Sequence, residues 1–196
     1  ARRMASPTAG ASTMVFSFME FGGVTRLKFI RRAGAFSAFG ALSVCASVQA
    51  ADIVRHPLGG GSTFPIARAI EVPAGSSLIF HSGTTPAPAD PRAPQGSAEY
   101  WGDTKTQTLS VFKLIEESLT SLGLGFGDVV SMTVYLVGDP AREGRMDFAG
   151  IMEAYSQYFG TPTQPNLPTR STVQVAALAS PGMLVEIEVT LARAPK

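Results

Sequence analysis

Apolar and polar positions alternate along five stretches of the chain, which is the period of a strand with one buried face. The turn at residues 73–75 joins the first two stretches, and their spacing predicts a hairpin. The turn at residues 180–182 joins the last two stretches. The predicted strands are residues 66–72, 77–83, 129–137, 171–178 and 183–192.

Two other stretches repeat their apolar residues every three to four positions, which is the period of a helix with one buried face. The first begins near Asp103 and ends at Gly123. The second is capped by Asp147, ends at Gly160 and reads mostly as core, with Met152 positioned to reach a neighbouring site. The two apolar stripes are Leu109, Phe112, Ile115, Leu119 and Leu122, and Phe148, Ile151, Met152, Tyr155 and Phe159.

This order of strands and helices predicts an α+β fold, in which one mixed sheet carries two helices on one face. A proline-rich loop at residues 84–96 separates the first strands from the first helix. The other face of the predicted sheet needs a cover, and the chain offers no third layer. A second copy of the chain is the simplest cover, so we expect a closed oligomer.

The first 50 residues have the pattern of an export signal. Basic residues between Arg26 and Arg32 precede an uncharged run at residues 33–48, and small residues end the run. At about 16 residues the run is shorter than the roughly 20 that a membrane-spanning helix needs. We expect residues 1–50 to be an N-terminal extension with a signal peptide. Residues 51–196 then form a periplasmic or secreted domain without stable membrane association. The alternative is an apolar helix that stays on the mature protein.

Charge and cysteine content narrow the function of residues 51–196. This part carries 10 basic and 14 acidic side chains, and its net charge of −4 argues against nucleic acid as a partner. The single cysteine, Cys45, lies in the predicted signal. A mature domain that starts at Ala51 therefore has no thiol for a disulfide, a nucleophile or a zinc site. The acidic residues have no calcium-loop spacing, and no metal site is predicted.

Two charged residues on predicted strands are the leading candidates for chemistry. Arg170 precedes the strand at residues 171–178, and Glu186 lies inside the strand at residues 183–192. A buried charge is costly unless it is paired or used. A guanidinium matches a carboxylate with two parallel hydrogen bonds, and a glutamate can orient water or take its proton. The alternatives are a structural salt bridge for Arg170 and, for Glu186, the role of its structural partner.

Five segments in the correct order make the chain resemble the Rid family, also known as YjgF or enamine/imine deaminases. The resemblance covers residues 64–193 and therefore nearly all of a Rid-like domain at residues 51–196. With its signal, the chain looks most like a secreted branch of that family. The segments are Phe80-His81-Ser82-Gly83 followed by Pro86, Asp128-Val129-Val130, Phe148 with Tyr155 and Phe159, Pro168-Thr169-Arg170-Ser171, and Glu186-Ile187-Glu188.

The resemblance implies a chorismate-mutase-like fold, with a mixed six-stranded sheet, two helices on one face and a homotrimer whose active sites lie between subunits. It implies hydrolysis of reactive 2-imino and 2-enamino acids to 2-keto acids and ammonia, without a metal or an organic cofactor. Arg170 matches the arginine that holds the substrate carboxylate, and Glu186 matches the glutamate that places or activates water. The matching pocket positions are Ser82, Gly83 and Thr172, where several members carry cysteine at the position of Thr172.

Two positions depart from the pattern of active members. Met152 stands where they carry an asparagine, and Ile66 stands where they carry a tyrosine. The expected pocket is more apolar, which indicates a bulkier apolar imino acid, a different carboxylate or no turnover. The alternative to a deaminase is therefore a non-catalytic trimeric protein that binds a small carboxylate. A ribonuclease activity, sometimes attributed to the family, fits poorly with an acidic and exported domain.

Overall fold

The computed structural model describes residues 52–195, and the predicted signal peptide lies outside them. Within this range the chain forms six strands, three α-helices and two short 3-10 helices. In chain order the strands and α-helices are β1 (Val54–Pro57), β2 (Ala67–Glu71), β3 (Ser77–Thr84), α1 (Ala98–Trp101), α2 (Thr104–Ser121), β4 (Val129–Val137), α3 (Phe148–Tyr155), β5 (Thr169–Val175) and β6 (Val185–Arg193).

Four of the strands form a mixed sheet in the order β3-β6-β4-β5. The central β4 runs parallel to β5 and antiparallel to β6, and β3 runs antiparallel to β6. Alternate residues of β4 and β6 are buried in one core with the apolar stripes of α2 and α3. The prediction of an α+β fold, with a mixed sheet and two helices on one face, is thereby confirmed.

The predicted strand pairing was wrong in two respects, which are the hairpin of the first two strands and the single six-stranded sheet. β2 pairs with β1, which the alternation did not locate, and β3 pairs with β6. The six strands divide into the four-stranded sheet and a separate β1–β2 ribbon. The closing strands β5 and β6 are not neighbours, because β4 lies between them. Alternation specifies the face that a side chain takes and leaves open which strand lies beside it.

Local signals in the sequence set the helix starts. The carboxylate of Asp103 accepts a hydrogen bond from the Thr106 N–H at 2.8 Å, and that of Asp147 accepts from the Gly150 N–H at 3.0 Å. The helix α3 ends at Tyr155, which is earlier than predicted. Among the described residues no helix is both long and apolar enough to cross a membrane.

Arg55 of β1 fastens the ribbon to the rest of the domain. Its guanidinium donates hydrogen bonds to three backbone oxygens, those of Gly127 at 2.8 Å, Val129 at 2.9 Å and Leu167 at 2.8 Å. These carbonyl groups lie at the start of β4 and just before β5. One side chain therefore ties together three segments that are distant in sequence and sets the position at which β5 begins.

We expect Arg55→Met to lower the free energy of unfolding by about 2–4 kcal/mol, because it removes three hydrogen bonds from a charged donor. Urea denaturation followed by circular dichroism measures the change. Arg68→Met, on the exposed side of β2, is the matched control and should shift the midpoint little. Equal stability of the two variants would contradict the role of Arg55.

Candidate functional site

Arg170 lies on the face of the sheet that the helices cover. It is paired across the strands with Met132 of β4, which is buried, and paired residues share a face. The Nη2 of Arg170 donates to the sulfur of Met152 on α3 at 3.2 Å. A thioether is a weak acceptor, so this contact satisfies the guanidinium only in part.

Three aromatic rings surround the Arg170 guanidinium. Its Cζ lies 4.2 Å from the ring centre of Tyr155, 5.3 Å from that of Phe64 and 5.9 Å from that of Phe148. Such contacts attract the cation to the ring faces. Burial lowers the pKa of Arg170, an effect that Tyr155 opposes, and the guanidinium remains a cation at neutral pH.

Two polar atoms beside this cluster are buried without a hydrogen-bond partner in the described part of the chain. They are Nη1 of Arg170 and the hydroxyl oxygen of Thr172, two residues further along the same face of β5. The ion pairs formed by residues 52–195 do not include Arg170. Because buried polar groups are normally hydrogen-bonded, this pair is suited to a ligand that brings its own acceptors.

Glu186 forms a second group with Ser82 and Gly83. The register of β3 against β6 shifts between His81 and Thr84, so Ser82 and Gly83 lie at a bulge of the strand. A Cβ atom on Gly83 would overlap the Glu186 carboxylate, so any larger residue at this position would displace that carboxylate. The structure thus brings together three of the residues that the sequence singled out.

The Arg170 group and the Glu186 group lie on opposite faces of the sheet. Glu186 is paired with Tyr135 of β4, which alternates with the buried Met132 that is paired with Arg170. Glu188 shares the face of Glu186 and accepts a hydrogen bond from the Tyr135 hydroxyl at 3.3 Å. Within one chain, therefore, Glu186 is not the salt-bridge partner of Arg170. We call Arg170 with Thr172 the Arg170 half-site, and Glu186 with Ser82 and Gly83 the Glu186 half-site.

A cavity of about 330 Å³ has Arg170 in its lining, together with Ser131, Thr133, Thr169 and Ser171, which alternate along β4 and β5 with Met132 and Arg170. It lies between β2 and the starts of β4 and β5, and Ile66 and Arg170 are among the residues that line it. Ile66, which stands where a tyrosine was expected, is therefore one of the residues that line this cavity. Its volume is that of a site for a small organic molecule.

Phe64 and Phe148 are the site residues that sequence reasoning missed. Phe148 was expected to belong to the core stripe of the second helix, yet its side chain is 37% exposed. Phe64 is 38% exposed and stacks on Phe148, with ring centres 6.3 Å apart. The sequence offered little indication of this role for Phe148, because a phenylalanine in the apolar stripe of a helix is normally a core residue.

Residues 52–195 contain no group of three or more histidine, cysteine, aspartate or glutamate side chains arranged to hold a metal ion. Four buried side-chain atoms of residues 52–195 lack a hydrogen-bond partner, and two of them, Nη1 of Arg170 and the Thr172 hydroxyl, lie on the same face of β5 and act as donors. Donors of this kind suit an anion, and a carboxylate matches them by charge and by geometry.

Comparison with known proteins adds family and fold. The family model described as Endoribonuclease L-PSP matches residues 66–193. A RutC family protein of Pyrococcus abyssi is 34% identical over 124 residues, which cover 63% of this chain and 83% of the relative. Protein DfrA of Myxococcus xanthus is 36% identical over 125 residues, which cover 63% of this chain and 82% of that protein.

A solved structure supports the architecture. The crystal structure of YyfB from Yersinia pestis, a protein of unknown function of the conserved Rid family, matches with a TM-score of 0.54. It is 24% identical in sequence, and the match covers 71% of this chain and 97% of that chain. At this level of identity the likeness shows a common fold.

The buried phenol of Tyr155 generates a prediction about alkaline stability. Its hydroxyl donates to the Pro65 carbonyl oxygen at 2.8 Å, and burial raises the pKa of Tyr155 to about 12. In the unfolded chain the phenol ionises near pH 10. The stabilisation is therefore complete below about pH 10 and is lost as the pH rises toward 12, at a cost of about 2–3 kcal/mol.

We expect Tyr155→Phe to lack this part of the alkaline loss. The variant starts about 1 kcal/mol less stable at neutral pH, because the hydrogen bond to Pro65 is gone. Urea titrations of both proteins between pH 8 and about pH 12 test the expectation. Parallel loss of stability in the two proteins would show that another group is responsible.

Proposed function

The chain belongs to the Rid/YjgF/RutC family, whose Endoribonuclease L-PSP domain spans residues 66–193, and from this premise we propose that it hydrolyses reactive 2-imino and 2-enamino acids. The products are 2-keto acids and ammonia. The observation that carries the proposal is the partly buried Arg170 guanidinium, whose Nη1 is buried and has no hydrogen-bond partner within residues 52–195.

In the binding step, the substrate carboxylate accepts two hydrogen bonds from Arg170. One comes from Nη1, and the other comes from Nη2 in place of its weak contact with the Met152 sulfur. The Thr172 hydroxyl, which also lacks a partner among the described residues, donates to the same anion. The substrate is then held with its imine carbon at a defined position relative to an attacking water.

The reaction needs one water molecule and no external oxidant or reductant. The water oxygen adds to the imine carbon, and a proton passes to the imine nitrogen, which gives a tetrahedral aminoalcohol. The carbon–nitrogen bond then breaks, ammonia leaves, and the oxygen forms the new carbonyl of the 2-keto acid. Glu186 relays a proton from the water to the imine nitrogen during addition, and relays the hydroxyl proton to the departing nitrogen during breakdown.

Arg170 and Glu186 of one chain lie on opposite faces of the sheet, so a complete site requires two copies. We propose a homotrimer in which Arg170 and Thr172 of one subunit face Ser82, Gly83 and Glu186 of the next. Exposed apolar side chains on the same face as Glu186 support such an assembly. Phe80 is 79% exposed and Val173 is 43% exposed, and a partner subunit would bury both.

The apolar residues around the guanidinium favour a second candidate. Met152 contacts Arg170, and Ile66 lines the adjoining cavity, so two positions that are polar in active members are apolar here. In this alternative the same cleft captures a small carboxylate without turning it over. The two candidates share the role of Arg170 and differ in whether an imine decays faster in the presence of the protein.

We expect the purified protein to accelerate the decay of 2-imino acids that an amino-acid oxidase generates in the assay. Arg170→Ala should reduce kcat/KM by at least about a hundredfold, because two charge-assisted hydrogen bonds to the carboxylate are lost. Arg92→Ala is the matched control, since Arg92 lies on an exposed loop. Absence of acceleration for a panel of small and bulky imino acids would exclude the deaminase and leave the binding protein.

Subunit mixing tests the shared site. Arg170→Ala and Glu186→Gln are each expected to be inactive when pure. If a site combines Arg170 of one subunit with Glu186 of the next, an equal mixture of the two variants, refolded together, regains about a quarter of the sites. Native mass spectrometry verifies that mixed trimers have formed. Mixed trimers without any recovered activity would contradict a site shared between subunits.

A further inference from the structure

Two phenylalanine rings flank the Arg170 guanidinium, and we define the side chains of Phe64 and Phe148 as an aromatic wall. The two rings are nearly parallel, with an interplanar angle of 12° and ring centres 6.3 Å apart. They are 38% and 37% exposed, whereas Tyr155 on the other side of the guanidinium is fully buried. Phenylalanine rings that are partly hydrated beside a buried cation are costly unless a ligand covers them.

The position of the wall is fixed from both ends. Phe148 is the first residue of α3, whose start is capped by Asp147. Phe64 precedes Pro65, whose carbonyl oxygen accepts the hydrogen bond of the buried Tyr155 hydroxyl at 2.8 Å. Because both ends are anchored, the wall is a formed surface that a ligand meets on approaching Arg170.

A carboxylate that binds Nη1 must lie within reach of this wall. Both rings have their centres less than 6 Å from the Arg170 Cζ, which is about the distance that a bound carboxylate and the next carbon span. Met152 also contacts the guanidinium, so a group attached to that carbon meets apolar side chains on this side of Arg170. A polar group held between these apolar side chains would lose water without gaining a partner, whereas the charged Arg142, Arg145 and Asp147 line a separate cavity on which Phe148 also borders.

We propose that the aromatic wall selects ligands whose carboxylate carries a large apolar group, preferably an aromatic ring, two or three bonds away. The substrates are then the 2-imino acids of aromatic and large aliphatic amino acids, and the ligands include the corresponding 2-keto acids. This inference rests on the proposed function, in that Arg170 is taken as the carboxylate anchor. It assigns to Phe64 and Phe148 the role of specificity-determining residues.

The inference is tested by the binding of stable 2-keto acids, which does not depend on turnover. Calorimetric titration of the purified protein with phenylpyruvate and with pyruvate should give a dissociation constant at least about tenfold lower for phenylpyruvate, which is the range that apolar contacts in a pocket provide. Phe64→Ala and Phe148→Ala should each remove most of this preference. Leu122→Ala, an exposed apolar residue after α2, is the matched control and should keep it.

The outcomes separate this inference from the proposed function. Equal or weaker binding of phenylpyruvate, or a preference that survives in both phenylalanine variants, overturns the inference. Persistence of phenylpyruvate binding in Arg170→Ala also overturns it, because the ligand is then bound elsewhere. If the protein prefers phenylpyruvate to pyruvate but accelerates the decay of no imino acid, this inference is supported and only the proposed deaminase activity is excluded. Circular dichroism of each variant verifies that the fold is retained.

Discussion

The position of β4 between β5 and β6 is the constraint on which the candidate site depends. Every side chain of these two flanking strands takes its face from its register against β4. Met132 is paired with Arg170 and Tyr135 is paired with Glu186, and these two β4 residues point to opposite faces. A slip by one residue would exchange the faces, but it would also expose the apolar set that packs under α2 and α3. The cation therefore stays beneath the helices, and the acid stays on the open face.

Two partly buried arginines show how differently this fold uses the same side chain. Arg55 donates to three backbone oxygens and serves to fix the start of β5. Arg170 has aromatic rings and one sulfur around it, and its Nη1 lacks a partner within residues 52–195. Burial lowers the pKa of both groups. An anion gains more from Arg170 than from a surface arginine, because the surroundings are less polar than water and only the weak contact of Nη2 with the Met152 sulfur must be given up.

Separation of the two half-sites has a physical benefit. A glutamate within reach of Arg170 in the same chain would form a salt bridge and block the carboxylate position. The opposite faces prevent this contact, and Gly83 supplies the space in which the Glu186 carboxylate rests. Both charged groups therefore remain available to a ligand, and the proposed trimer is the step that brings them together. The aromatic wall adds selectivity to the Arg170 half without adding a further charge.

The periodicity of apolar residues by itself determined the two long helices, most of the strands and the α+β class, since amphipathic faces and caps are local properties. The pattern also singled out Arg170 and Glu186, because charged residues on apolar strands are conspicuous. Only the tertiary structure decided the strand order and the separate β1–β2 ribbon, and only the structure located β1. Strand pairing depends on which distant faces are buried together. The same holds for Phe64 and Phe148. Their proximity to Arg170 comes from three segments that meet only after folding, and no spacing in the sequence encodes it.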